Sequence, residues 1–357
     1  MPEVAADGKA NSMSETKRRP YAPSWVDRFN AWVHRLEGPS WLYYLGIGVA
    51  LFLIQTGILL AEGVRPIGGF LAPHAFLAGM IVFFPALVHY LNVMADAGLA
   101  ALRPALKTSE ETYAALRYRL VTLPPRPTLL ASVIAAVTIV LINEGLGTPA
   151  GFNRLADFPI ASAALYAMYV VTWWVWGTFV YHTIHQLRVI NRIYTEHTRV
   201  NVFRTRLLYA FSSTTAITAV SLTIPTYAWL FINQSLRDRI AVGITVPITA
   251  LALVAFIWPQ LGARRLLAQE KRRMLDDLSL RFEALIVELP QRVDSRDFEG
   301  IDNLKKLIAA LEIEEQALKK VSTLPWRPET VRYLMTALLL PLVLWLVQYF
   351  LQSALGP

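Results

Sequence analysis

Cysteine is absent from this 357-residue chain. Without cysteine the protein has no disulfide, no thiolate metal site and no catalytic thiol. The sequence also lacks a Gly-x-x-x-x-Gly-Lys loop, a Gly-x-Ser-x-Gly elbow, a dinucleotide-binding fingerprint and a His-Glu-x-x-His motif. No soluble catalytic domain is attached. We therefore expect neither an enzyme nor a bound cofactor.

Charge is nearly absent from seven long apolar stretches, in which Glu144 and Arg332 are the charged residues, in a chain that is 55% apolar and 17% charged. Each stretch has about the 20 residues that an α-helix needs to cross a bilayer. The sequence therefore predicts an all-α, polytopic membrane protein with seven transmembrane helices. The predicted spans lie at residues 41–61, 70–95, 129–147, 160–182, 207–231, 240–261 and 331–352.

The basic residues predict the orientation of the spans. Of the 34 Lys and Arg residues, 30 lie before the first span or after the second, fourth and sixth spans. Lys and Arg collect in the loops on the cytoplasmic side, so the N-terminus is predicted inside and the C-terminus outside. The net charge of +8 then faces anionic lipid headgroups rather than nucleic acid. The first 20 residues are polar, with no cleavable signal peptide, and predict a disordered tail. The Ala-, Leu- and Arg-rich composition is typical of a bacterial inner-membrane protein.

Residues 21–40 predict an amphipathic helix that lies in the membrane interface. Ser24 is a suitable N-cap, and Gly38-Pro39 ends the helix. The helix either anchors the first span or takes part in gating or partner docking. Its predicted apolar face consists of Trp25, Phe29, Trp32, Val33 and Leu36, and its polar face of Asp27, Arg28, Asn30 and Arg35.

Residues 262–327 predict a cytoplasmic coiled-coil hairpin that follows the sixth span. The last domain, residues 328–357, consists of the seventh transmembrane helix and a short outer tail. Apolar residues recur at coiled-coil spacing with charged residues around them, and Pro290 with the polar run 294–297 is expected to break the first helix. The hairpin pairs either within one chain or between subunits. The apolar positions are Leu267, Met274, Leu278, Phe282, Leu285 and Leu289 in the first helix, and Ile301, Leu304, Ile308, Leu311 and Leu318 in the second.

Hydroxyl side chains mark one face of the fifth predicted span, within the region 41–261 that holds six spans. Thr214, Thr218 and Ser221 fall on this face. Such hydroxyls either line a wet path or pack closely and bond back to the carbonyl four residues earlier.

Two predicted spans bring histidines to the cytoplasmic side. His182 and His185 lie near the inner end of the fourth span, and His89 and Asp96 lie on the second. Imidazole and carboxylate groups at similar depth could hold zinc, non-haem iron or haem. The alternatives are hydrogen-bonded histidines and proton sensing without a metal.

The layout resembles that of the invertebrate gustatory and odorant receptors, which are tetrameric ligand-gated cation channels. Both have an inside N-terminus, seven spans, long cytoplasmic extensions before the last span and an outside C-terminus. In that family the last span carries Thr-Tyr, five apolar residues, then Gln and an aromatic residue. Here residues 343–347 are apolar and precede Gln348-Tyr349, while Pro341-Leu342 replace Thr-Tyr. The resemblance implies a homo-oligomeric channel with Trp345, Gln348, Tyr349 and Gln352 near the pore.

Three functions follow from these features. The first is a gated ion channel or receptor-channel that forms a homo-oligomer and responds to a small-molecule ligand. The second is a membrane-anchored signalling or scaffold protein that recruits a partner through its hairpin. The third is a metal- or haem-dependent membrane enzyme that uses His89, His182 and His185.

Overall fold

A computed structural model describes residues 20–63, 71–146, 157–198, 209–232, 239–294 and 298–321, with single helical positions between 332 and 347. Over these residues the fold is helical and contains no β-strand, although an isolated antiparallel bridge joins Leu106 to Thr198. The predicted all-α class is confirmed for this part of the chain. The helices are α1 (Trp25–Val33), α2 (Ser40–Ala61), α3 (Leu71–Leu102), α4 (Glu110–Val121), α5 (Pro125–Leu146), α6 (Pro159–Arg192), α7 (Ser212–Ile232), α8 (Arg239–Asp294) and α9 (Phe298–Lys320).

Four helical segments are long and apolar enough to cross a membrane: Ser40–Ala61, Ala72–Ala105, Glu110–Gly145 and Pro159–His197. They contain α2, α3, α5 and α6 and correspond to the first four predicted spans. In α2 the side chains of Leu45, Leu53 and Ile54 are all more than half exposed, as expected of a helix that faces lipid. The chain is therefore a candidate multi-pass membrane protein.

The core of the bundle lies between α3 and α6, where Phe84 stacks on Phe179 with the ring centroids 5.3 Å apart. Helix α5 packs against α6 at Gly177. A Cβ atom on Gly177 would lie 2.5 Å from the Cβ of Ala135 and 2.7 Å from the carbonyl oxygen of Ala131. Small residues let membrane helices approach this closely.

Helix α6 begins at a charged cap from a distant helix. Glu62, which follows α2, accepts hydrogen bonds from the backbone N–H groups of Ile160 (3.0 Å) and Ala161 (2.6 Å). A carboxylate here satisfies two N–H groups that have no partner within the helix and interacts favourably with the helix dipole. The carboxylate therefore fixes the start of α6 next to the end of α2.

Helices α7 and α8 pack against each other, and both contact the bundle. Helix α7 covers most of the fifth predicted span. Helix α8 is a continuous helix of 56 residues that contains the sixth predicted span and the first helix of the predicted hairpin. At 1.5 Å per residue it is about 84 Å long, far more than a bilayer requires.

The predicted hairpin is present as two antiparallel helices, α8 and α9. Leu278 and Leu318 form its small buried core, and the Lys271 ammonium donates to the carbonyls of Lys319 and Val321, both at 2.9 Å. The predicted apolar positions are buried or partly buried on both helices. Pairing within one chain is thus observed, while supercoiling into a coiled coil stays a prediction.

The expected break is confirmed at the polar run 294–297, because α8 ends at Asp294 and α9 begins at Phe298. It is wrong at Pro290, through which α8 continues. Proline removes one helical hydrogen bond and displaces the carbonyl four residues earlier. Pro290 is exposed, so water can solvate the freed carbonyl on that side of the helix.

Candidate functional site

A buried polar cluster joins α3, α4 and α6 at the ends that are predicted to be cytoplasmic. The Asn92 amide nitrogen donates to the carbonyl oxygen of Val121 at 2.9 Å. Its amide oxygen lies 2.8 Å from His182 Nε2 and 3.3 Å from the Gln186 amide nitrogen. Because the Val121 carbonyl can only accept, Asn92 presents its oxygen to His182, and Nε2 of His182 carries the proton.

The cluster satisfies the last carbonyls of α4. Besides the Val121 carbonyl, the Arg119 carbonyl lies 2.9 Å from His185 Nε2, and the Thr122 carbonyl accepts from the Tyr21 hydroxyl at 2.7 Å. The last carbonyls of a helix have no partner within the helix. Side chains from α3, α6 and the segment before α1 therefore hold the end of α4 in place.

Three polar atoms of α6 next to this cluster are buried without a hydrogen-bond partner: His182 Nδ1, Thr183 Oγ1 and Gln186 Oε1. Since Nε2 of His182 holds the proton, Nδ1 and Gln186 Oε1 are both acceptors. An intramembrane histidine with a free acceptor nitrogen is a candidate for function. Sequence spacing pointed to His182. It missed the hydrogen-bond partner of His182, Asn92 on α3, and it missed Gln186 on the next turn of α6, which also bonds Asn92.

The predicted metal-binding residues do not come together. His182 is held by Asn92, Asp96 pairs with the Arg117 guanidinium at 2.6 Å, and His185 bonds the backbone of α4. His89 stacks on His34. Over the described ranges no group of three or more His, Cys, Asp or Glu side chains could hold a metal ion. Of the alternatives to a metal site, hydrogen-bonded histidines is the one that describes His182 and His185.

The hydroxyls of α7 are buried in the packed bundle. Thr214, Thr218 and Ser221 are at most 6% exposed, and Thr218 donates to the Thr214 carbonyl at 2.8 Å. This is the close packing with back-bonding that was one of the two alternatives. The hydroxyl of Thr214 has no partner in the bundle, so a wet path along this face stays a prediction. The pore candidates of the last span, Trp345, Gln348, Tyr349 and Gln352, lie outside the described residues.

The predicted helix and its N-cap at Ser24 are confirmed, but its predicted end at Gly38-Pro39 is wrong, because α1 ends at Val33 with His34 as the C-cap. The Ser24 hydroxyl accepts from the Asp27 N–H, and the Asp27 carboxylate accepts from the Ser24 N–H, in a reciprocal capping box. The carboxylate also accepts from the Leu123 N–H at 2.9 Å, which ties α1 to the start of α5. Burial raises the pKa of Asp27, although the hydrogen bonds from Ser24 and Leu123 act in the opposite direction.

The predicted polar face of α1 is wrong at Asn30, which is only 5% exposed. The buried face consists of Val26, Asn30 and Val33, whereas Trp32 is 51% exposed. Asn30 lies four residues after Val26 and three before Val33, and this helical spacing was the signal that could have placed it on the inner face. The location of α1 in the membrane interface stays a prediction.

A charged cleft of about 340 Å³ opens between α4 and the end of α6. Glu111 and Arg119 line one side of it, and Arg192, Glu196 and His197 line the other. Arg192 and Glu196 pair with each other at 2.8 Å. This cleft is a place where a small charged ligand could bind from the predicted cytoplasmic side.

Comparisons of the chain with protein-family models, with curated proteins and with solved structures found no match.

Proposed function

We propose that this chain is a seven-span protein of the bacterial inner membrane that assembles with copies of itself into a gated ion channel. Four candidate spans are present. In this proposal α7, the first part of α8 and the segment 331–352 would be the other three. The seventh span, with Gln348 and Tyr349, would lie near the pore. This arrangement follows the resemblance to the gustatory and odorant receptors.

The observation that carries the proposal is a set of exposed apolar side chains on the hairpin, outside the predicted spans. Leu280, Val287 and Ile313 are 65%, 60% and 70% exposed, although α8 and α9 already bury their shared seam. Large apolar side chains that are exposed outside the membrane are candidates for a protein interface. A second copy of the chain that covers this surface would join the hairpins into one assembly.

The continuous helix α8 gives the hairpin a direct mechanical connection to the membrane. The sixth predicted span and the hairpin share this helix without a break. A shift of the hairpins against each other would therefore move the sixth spans, and this is the coupling that a gated channel needs.

Native mass spectrometry of the full chain in nanodiscs tests the assembly. We expect a discrete oligomer, and we expect the variant Leu280→Ser/Val287→Ser/Ile313→Ser to shift it toward the monomer. Ser279→Ala, an exposed polar position beside Leu280, is the matched control and should leave the oligomer intact. A wild-type chain that is monomeric would contradict the proposal.

Bilayer recordings then test conduction. We expect cation currents from the oligomer, with a selectivity that changes in Gln348→Leu. An oligomer without conductance would contradict the channel.

The second candidate is a membrane-anchored scaffold, which the same exposed hairpin residues favour. It predicts a monomer without conductance that retains a cytoplasmic partner through residues 262–321. Loss of that partner in the triple serine variant, but not in Ser279→Ala, would decide for the scaffold.

A further inference from the structure

Helix α1 packs on α3 at the turn that contains Pro85. The Asn30 amide nitrogen donates to the Pro85 carbonyl at 3.0 Å, and the Asn30 amide oxygen accepts from the Tyr44 hydroxyl of α2 at 2.9 Å. Proline inside a helix removes a hydrogen bond and favours a kink, so this turn of α3 is a natural hinge. A buried side chain of α1 thus bridges this hinge and the first span.

One turn further along both helices, two imidazole rings lie against each other in a tilted arrangement. His34, the C-cap residue of α1, lies over His89 of α3 with the ring centroids 3.8 Å apart and the planes 36° from parallel. Aromatic pairs usually have centroids about 4.5–7 Å apart, so this contact is close. Two neutral imidazoles tolerate such a contact, whereas two imidazolium cations repel each other at this distance.

We propose that the His34–His89 pair is a pH-sensitive latch, which holds α1 on the Pro85 turn of α3 while at most one imidazole is charged and releases α1 when both are protonated. The latch is a property of the two helices and does not require the chain to be a channel. In the proposed channel it would couple cytoplasmic acidification to the hinge of the second span.

Among the residues that the structure describes, neither His34 nor His89 forms a salt bridge with a carboxylate. On α3 the nearest acid along the helix is Asp96, which the Arg117 guanidinium already holds. Arg35 is exposed on the chain next to His34.

Further charged groups lie on the segments that adjoin the pair. Glu37 follows α1 in the chain and is exposed. Tyr43 and Tyr44 of α2 carry hydroxyl groups and supply no carboxylate. Among the described carboxylates, Glu37 is the one nearest to His34 along the chain, and it forms no salt bridge with either imidazole.

Protonation of Asp27, at the other end of α1, has the opposite effect on the docking of α1. Burial raises the pKa of its carboxyl, so the docked helix binds a proton there more readily than a released helix does. Protonation of Asp27 therefore favours docking.

Linkage gives the expected size of the effect. The docked state accepts one proton on the pair and the released state accepts two, so one extra proton is bound on release. Over the pH range in which the released state binds this extra proton, the ratio of released to docked α1 should rise about tenfold for each unit by which the pH falls.

The test uses the absence of cysteine from the chain. Spin labels on Ala31→Cys of α1 and Ala114→Cys of α4, both exposed positions, report the α1–α4 distance in the full chain in nanodiscs. At pH 8 we expect a single narrow distance distribution. At pH 5.5 a second, longer distance should appear. A distribution that does not change with pH would overturn the latch.

Matched variants assign the change to the imidazoles. His34→Gln removes one titrating group at an exposed position, and we expect it to keep the short distance at both pH values. A wild-type response in this variant would overturn the proposal, as would a response that disappears in Asp27→Asn.

The distance between labels at Leu53→Cys and Ile160→Cys, both exposed on the bundle, should not change with pH, because the transition is local. If that pair also moves, the bundle is unfolding and the latch is wrong. The measurement involves no current, so its failure is distinct from failure of the channel proposal.

Discussion

Removal of Leu318 from the hairpin core should loosen α9 without affecting the membrane bundle. Leu318 is fully buried and packs with Leu278 and with the partly buried Met274, Leu311 and Val321. Replacing a buried leucine by alanine costs about 2–5 kcal/mol, depending on how far the site can collapse. This core is small and lies near solvent, so we expect the lower end, about 2 kcal/mol, which corresponds to roughly a 30-fold larger opening constant.

Hydrogen exchange of the full chain in nanodiscs measures this opening. In Leu318→Ala the amides of α9 should lose about 30-fold in protection, whereas those of α3 should not change. Leu307→Ala is the same substitution on the same helix at a position that is 54% exposed, and we expect a change of less than about threefold. Equal losses in the two variants, or no loss in Leu318→Ala, would refute the assignment of Leu318 to the seam.

Three further predictions concern the membrane bundle. Gly177→Val should strongly destabilise the packing of α5 on α6, because the new Cβ atom would lie 2.5 Å from the Cβ of Ala135. A thermal melt in detergent should show a clear drop in Tm for Gly177→Val and a smaller drop for Gly177→Ala. Asn92→Leu leaves the Val121 carbonyl without its side-chain donor and should cost about 1–3 kcal/mol in the same melt; an unchanged Tm would mean that water replaces the amide. Arg117→Met should change stability by less than about 1 kcal/mol, because its ion pair is exposed, and a larger loss would contradict that description.

Hydropathy and helical periodicity were enough to predict the first four candidate spans, the N-cap of α1 and the seam of the hairpin. The first four predicted spans coincide with helices that are long and apolar enough to cross a membrane. The N-cap at Ser24 and the apolar seam of the hairpin, including Leu278 and Leu304, also follow from local spacing. These predictions succeed because a cap and a helix face depend on residues within a few turns of the chain.

The same local reasoning failed where contacts with distant residues, or exposure to water, determine the burial of a side chain or the end of a helix. Asn30 was placed on a solvated face, yet Pro85 and Tyr44 bury it. Pro290 was expected to end a helix that continues through it. Propensity and polarity are weak preferences, and a tertiary contact or an exposed position can override them.

The sequence by itself determined that this protein is helical, apolar enough to be a multi-pass membrane protein, and equipped with a charged helical hairpin after the sixth predicted span. Only the tertiary structure decided what its polar residues do. It placed His182 against Asn92, His34 against His89, and Glu62 at the start of α6. The physical reason is the distance along the chain over which each feature is decided. Which face of a helix is buried follows from a repeat of a few residues. The role of a buried polar group depends on its hydrogen-bond partner, which is often some 90 residues away in the chain.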